Sequence, residues 1–123
     1  MLRPKGVKAF LITLIFINMS TIAVAQQVTE LVVYRIKADA DRTFILHTVD
    51  EELAKFPGFI NRRVEVSTDD TQVLVDYVQW QSLEQAQAAA EQVMQNPSPK
   101  VATFLSMIEE IIYFKHFKDA ATR

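Results

Sequence analysis

The stretch VLVDYV sets one carboxylate, Asp76, among β-branched and aromatic residues. A carboxylate on a central strand must find a cation or keep its proton. Arg35, Arg62 and Arg63 lie on segments expected to neighbour it. Two uses are open to Asp76: an ion pair of the fold or of a subunit interface, or an acid or base in an apolar pocket. His116, in YFKHF near the end of the chain, is the second candidate base, because imidazole titrates where a general base is useful; a strand-end histidine at the sheet margin is its structural alternative. Tyr34, Tyr77 and Tyr113, with Arg62 and Trp80, are the candidates for holding a small aromatic molecule by stacking and hydrogen bonding. Tyrosines of this kind equally serve as core residues with the hydroxyl at an edge.

Other chemistry is poorly served. Gly6 and Gly58 are the only glycines, so there is no glycine-rich loop for phosphates or dinucleotides. The two histidines, His47 and His116, share no helical or hairpin spacing and there is no cysteine, which argues against a zinc or haem site. No serine has nucleophile-elbow surroundings. No metal and no cofactor are expected.

The chain opens with Arg3, Lys5 and Lys8, an apolar run from Ala9 to Met19, and then Ala23-Val24-Ala25. That order is an export signal, with cleavage expected before Gln26. The apolar run is shorter than the roughly 20 residues of a spanning helix, so no stable membrane insertion is expected after cleavage. Residues 26–123 then form one domain, 98 of the 123 residues, in the periplasm or outside the cell. Losing the leader removes three of 13 Lys+Arg and none of 15 Asp+Glu, taking the formal charge from -2 to -5. An acidic domain disfavours nucleic acid as a partner.

Periodicity supplies the elements that must position these residues. Val28 to Lys37 reads as a strand. Asp39 and Asp41 are N-caps for a helix whose apolar stripe is Leu46, Val49, Leu53 and Phe56, with His47 and Phe44 off that stripe. Pro57 and Gly58 end it, the glycine taking positive φ. Phe59–Ser67 and Gln72–Trp80 form a hairpin across Thr68–Thr71. Ser82 and Gln85 have capping-box spacing for a second helix with Leu83, Ala86, Ala90 and Val93 inward. Ser98 and Pro99 start a short third helix through Val101, Phe104 and Leu105, and IIYFKHF is the last strand. The order is that of an α+β, ferredoxin-like βαββαβ fold with a four-stranded antiparallel sheet.

Two helices cover one sheet face, yet these strands are apolar in both phases. Val73, Val75 and Tyr77 oppose Leu74, Val78 and Trp80, and Ile111 and Tyr113 oppose Ile112 and Phe114. A face left bare would exceed the apolar patch of a typical soluble monomer, so a homodimer packed sheet to sheet is expected.

These features resemble the antibiotic-biosynthesis-monooxygenase-like domains of the dimeric α/β-barrel superfamily. The likeness lies in the opening strand, FPGF after helix one, the hairpin running into VDYVQWQSLEQAQAA with Trp80 at the strand end, and SPK before the short helix. It spans roughly Val28 to Phe117. The resemblance implies a face-to-face dimer, a pocket between sheet and helices and, in some members, cofactor-free oxygenation of polycyclic aromatics or, in others, oxygenation of quinols. Its haem-degrading members use an Asn on the first strand and a His in the second helical segment. Here ELVVYRIK has no Asn and Ser82–Lys100 has no His, which sets haem breakdown aside.

Overall fold

The computed structural model describes residues 25–121; the expected leader, apart from Ala25, lies outside them. Four strands, β1 (Val28–Ile36), β2 (Phe59–Val66), β3 (Val73–Trp80) and β4 (Ile108–Phe117), form one antiparallel sheet in the order β2-β3-β1-β4. The ferredoxin-like arrangement is thereby the observed one. Helix α1 begins as a π-helix, Phe44–Thr48, and continues as an α-helix, Val49–Leu53. Helices α2 (Leu83–Gln95) and α3 (Pro99–Met107) complete the set, and no helix among the described residues is long and apolar enough to cross a membrane.

The caps form as their side-chain chemistry requires. The Phe44 N–H donates to Asp41 Oδ1 at 3.1 Å, Ser82 Oγ accepts from the Gln85 N–H, and Ser98 Oγ accepts from the Val101 N–H with Pro99 in the first turn. Ser98 also donates to the buried Glu52 carboxylate at 2.7 Å, which ties the start of α3 to α1.

Two expected stripes shift. On α1 the buried apolar residues are Ile45 and Val49, while Leu46 is 42% exposed. The π-turn causes this: the Val49 N–H bonds the Phe44 carbonyl, one residue further back than in an α-helix, and the widened turn aligns residues four apart rather than three. On α2 it is Ala86 and Ala89 that are buried, with Leu83 exposed. His47 is exposed and Phe44 half-buried.

The last strand departs further. It starts three residues earlier than expected, and register shifts opposite Val33/Tyr34 and Arg35/Ile36 break its alternation. Each bulge inserts an extra residue and so swaps the sheet face of the residues beyond it. Ile111 therefore pairs with Tyr34 on the same face as Phe114 and His116, rather than with Tyr113.

The helix-side face buries two apolar clusters, one of Val28, Val78, Trp80, Ala86 and Ala89 and one of Tyr34, Ile36, Ile45 and Leu74. Burying one such large side chain contributes roughly 1.5–3 kcal/mol. Trp80 anchors the first cluster, meeting Phe59 and Phe56 edge to face at centroid distances of 5.8 and 6.5 Å. On the opposite face the central strands present Leu31, Val33, Val75 and Tyr77, all half-buried, and the edge strand β4 adds the exposed Tyr113 and Phe117. Charge on that face sits mainly on the edge strands, at Arg63, Glu65 and Lys115.

Gly58 has φ of 87°, the left-handed turn that returns the chain from α1 to β2. A Cβ there would also lie 2.8 Å from Gln85 Cβ. Gly58→Ala is expected to destabilise by about 1–3 kcal/mol, read as a lower urea midpoint with unchanged slope. Adding Gln85→Ala should recover only the part of the steric cost that comes from the amide end of Gln85, leaving the Cβ contact and the backbone share in place.

Candidate functional site

Between the sheet and the helices lies a cavity of about 500 Å³, walled chiefly by apolar side chains of β1, β3, α2 and α3 such as Val32, Val78, Val93 and Phe104. Its polar wall residues include Asp76, Tyr34 and Glu30, all buried. Small side chains on α2 leave this room, since Ala89 and Ala90 stand where larger residues would close it.

Asp76 is 5% exposed and finds its cation in Arg62, on β2. Arg62 Nε donates to Asp76 Oδ2 at 3.0 Å; a second guanidinium nitrogen lies 2.9 Å from the same oxygen, with its N–H direction off the bond. The Tyr34 hydroxyl donates to Oδ1 at 2.7 Å, so both carboxylate oxygens are engaged. The Arg62 side chain has no solvent exposure; its third nitrogen donates to Asp50 at 2.8 Å and to the Ile45 carbonyl at 2.7 Å. An ordinary α-turn would have given that carbonyl to the Val49 N–H, so the π-turn of α1 opens it to Arg62. Phe104 covers the guanidinium, its ring centre 6.0 Å from the Arg62 Cζ.

Burial, the largest influence, pushes the Asp76 pKa up from 3.8 against the pull of Arg62 and of the Tyr34 hydrogen bond. Burial also drives Tyr34 far above its ordinary range, with the Asp76 charge acting in the same sense. Desolvation works to lower Arg62, but Asp76 and Asp50 outweigh it and hold the guanidinium charged.

A second titratable pair occupies another part of the sheet. Glu30 on β1 lies opposite His116 on β4, and Glu30 Oε2 is 3.0 Å from His116 Nε2. Glu30 lines the cavity and His116 stands beside it, its side chain 14% exposed. Burial raises the Glu30 pKa above 4.5, opposed by the hydrogen bond and charge of His116 and reinforced by Asp76. The Trp80 indole N–H is buried and makes no hydrogen bond of normal geometry, yet lies near enough to Glu30 to favour its ionised form.

Of the sequence candidates, Tyr34, Asp76 and Trp80 line the cavity, Arg62 anchors Asp76, and His116 is adjacent through Glu30. Tyr77 and Tyr113 are not brought there. They lie on the other face, Tyr77 with Arg63 4.2 Å over its ring and Tyr113 stacked on Phe117, because their strand phase is opposite to that of Asp76 and Phe114. Sequence reasoning missed Glu30, although it falls in phase with Val28, Val32 and Tyr34, the same intrusion of charge into an apolar phase that marks Asp76.

No protein-family model and no curated protein matches the chain. Among solved structures, SnoaB, a cofactor-independent oxygenase from Streptomyces nogalater, aligns with a TM-score of 0.62 at 17% identity, over 80% of this chain and 97% of that one. Two proteins described as antibiotic biosynthesis monooxygenases, from Chloroflexus aurantiacus and Nitrosomonas europaea, give TM-scores of 0.60 and 0.59 at 13% and 18% identity. They cover 79% and 81% of this chain and 96% of each of theirs. The chain thus has the fold of the antibiotic biosynthesis monooxygenase structures, as the resemblance in its sequence implied.

Arg62→Met strands a buried carboxylate and is expected to cost about 3–5 kcal/mol near neutral pH. A raised folded-state pKa means that stability is fully present below the unfolded value and is lost as pH rises through the folded one. The variant should therefore regain stability on acidification, as Asp76 takes up a proton. Denaturant midpoints measured across pH check this, and a deficit independent of pH would refute it.

Proposed function

We propose that this chain acts as an exported, homodimeric small-molecule-binding protein whose ligand is aromatic or quinone-like and occupies the cavity between sheet and helices, where it is oxygenated without a bound metal or cofactor. The observation behind this reading is the cavity itself: about 500 Å³ of mostly apolar space with a few buried titratable groups on its wall. That is room for a flat ring system, with few polar groups to orient it. Oxygenation without a cofactor draws its electrons from a substrate that stabilises its own carbanion, and molecular oxygen accepts them. The protein's part is a base, a dry enclosure and positioning. Asp76 and His116 are the bases suggested by the sequence. The fold shared with SnoaB, a cofactor-independent oxygenase, supports the reading by analogy of architecture.

A second copy of the chain suits the face opposite the helices. Its central strands carry Leu31, Val33, Val75 and Tyr77 and its charges lie toward the edges, the distribution of an interface with an apolar centre and polar rim. A competing reading, a ligand-binding protein without turnover, is favoured by one observation: Asp76 has both oxygens engaged by Tyr34 and Arg62, the condition of a structural ion pair.

Native mass spectrometry of the chain recovered from the periplasm of a bacterial host tests these statements together. The expected species has two subunits, each beginning at Gln26, and carries a small apolar molecule that is lost on activation. A monomer sinks the dimer, a chain that keeps residues 1–25 sinks export by cleavage, and a protein that neither retains nor takes up naphthol-sized aromatics sinks the ligand site. Oxygen uptake with a bound ligand separates turnover from binding.

A further inference from the structure

We propose that Glu30 is the acid–base group of the cavity, with His116 behind it as the residue that relays its proton to solvent. This rests on reading the cavity as a ligand site. The two carboxyls on the cavity wall differ in what their oxygens are free to do. Asp76 is closed: Oδ1 accepts from Tyr34, Oδ2 from Arg62, and the guanidinium neutralises it at contact distance. A carboxylate so held has both oxygens occupied and none turned to a ligand. Glu30 is open. Its Oε2 meets His116 Nε2 at 3.0 Å, no hydrogen bond of normal geometry reaches its Oε1 among the described residues although the buried Trp80 indole N–H lies near the carboxylate, and the side chain lines the cavity.

His116 does not line the cavity, so it reaches a ligand only through Glu30. It is a relay and positioning residue, held on the edge strand β4 with Phe114 packed edge to face on its ring at 5.4 Å. The step breaks an O–H or activated C–H bond of the ligand and forms an O–H bond on Glu30, with the electron pair staying on the ligand as oxyanion or carbanion. With Glu30 neutral, His116 in its Nδ1–H tautomer takes the carboxyl proton at Nε2 and gives up the Nδ1 proton at the sheet edge, which restores the carboxylate and the Nε2–H that donates to it.

The groups that set the titration of Glu30 come from each neighbouring element. His116 on β4 and the Trp80 N–H on β3 favour the charged form, Asp76 on β3 disfavours it, and Glu91 of α2 stands at the cavity wall. Burial dominates and raises the carboxyl above an ordinary solvated glutamate.

The test uses 4-nitrophenol, whose absorption separates phenol from phenolate, bound to the full mature protein across the acidic to neutral range. Affinity for the phenol form is expected to rise about tenfold as Glu30 ionises, the effect of a charge-assisted hydrogen bond. Glu30→Gln should abolish that step, and His116→Ala, at the sheet edge, should move it to higher pH because a group that favours the carboxylate is gone. A step that survives Glu30→Gln, or one abolished by Asp76→Asn instead, overturns the assignment. If Glu30→Gln does not fold, the His116→Ala shift decides. Failure of the wild type to bind the probe overturns the ligand-site reading, and carbon-13 titration of the Glu30 carboxyl tests the dyad without any ligand. That carboxyl is expected to titrate above the ordinary glutamate range and higher still in His116→Ala; an ordinary titration in both overturns the dyad.

Discussion

The buried pair of Arg62 and Asp76 is the constraint from which the rest of this architecture can be read. A guanidinium with no solvent exposure needs several acceptors at once, and it finds them on two elements: Asp76 on β3, and Asp50 and the Ile45 carbonyl of the π-turn on α1. The geometry of α1 answers that demand. A regular helix would have kept the Ile45 carbonyl to itself, whereas the widened turn releases it and rotates Ile45 into the core. One polar cluster thus fixes how the first helix sits on the sheet, at the cost of leaving Leu46 on the surface.

The same cluster shapes the cavity. With Asp76 pinned between Tyr34 and Arg62, one part of the space is polar but chemically satisfied. Glu30, bonded through one oxygen to His116 and with the Trp80 indole N–H nearby but out of line, is held less completely beside apolar walls. Burial raises both carboxyls, yet their neighbours differ, a guanidinium at one and an imidazole at the other. Two acids in one cavity are thereby given different characters by their surroundings.

Much of the fold was legible because its signals are local. Gly58 at positive φ, the Ser82 and Ser98 caps and the Asp41 cap each depend on residues within a few positions of one another. The alternation of β3 gave its faces, so the inward turn of Asp76, Leu74, Val78 and Trp80 could be read from spacing. The errors fell where regular spacing is interrupted. A π-turn moved the stripe of α1 and bulges opposite β1 re-faced the start of β4, and neither leaves a mark in a pattern that assumes a fixed period. The phase argument that marked Asp76 also fitted Glu30, so that residue was within reach of the sequence and went unread.

By itself the sequence determined the order of the elements, their caps and turns, and the fact that carboxylates sit in apolar phases, because propensity, capping and alternation act over short stretches of chain. Only the tertiary structure decided which arginine reaches Asp76, that Glu30 meets His116 across β1 and β4, and that Tyr77 and Tyr113 face away from the cavity. Those outcomes depend on strand register and on bulges, which are set by pairing between segments as far apart as 86 positions in the chain. Side chains at such separations become neighbours only when the whole sheet closes.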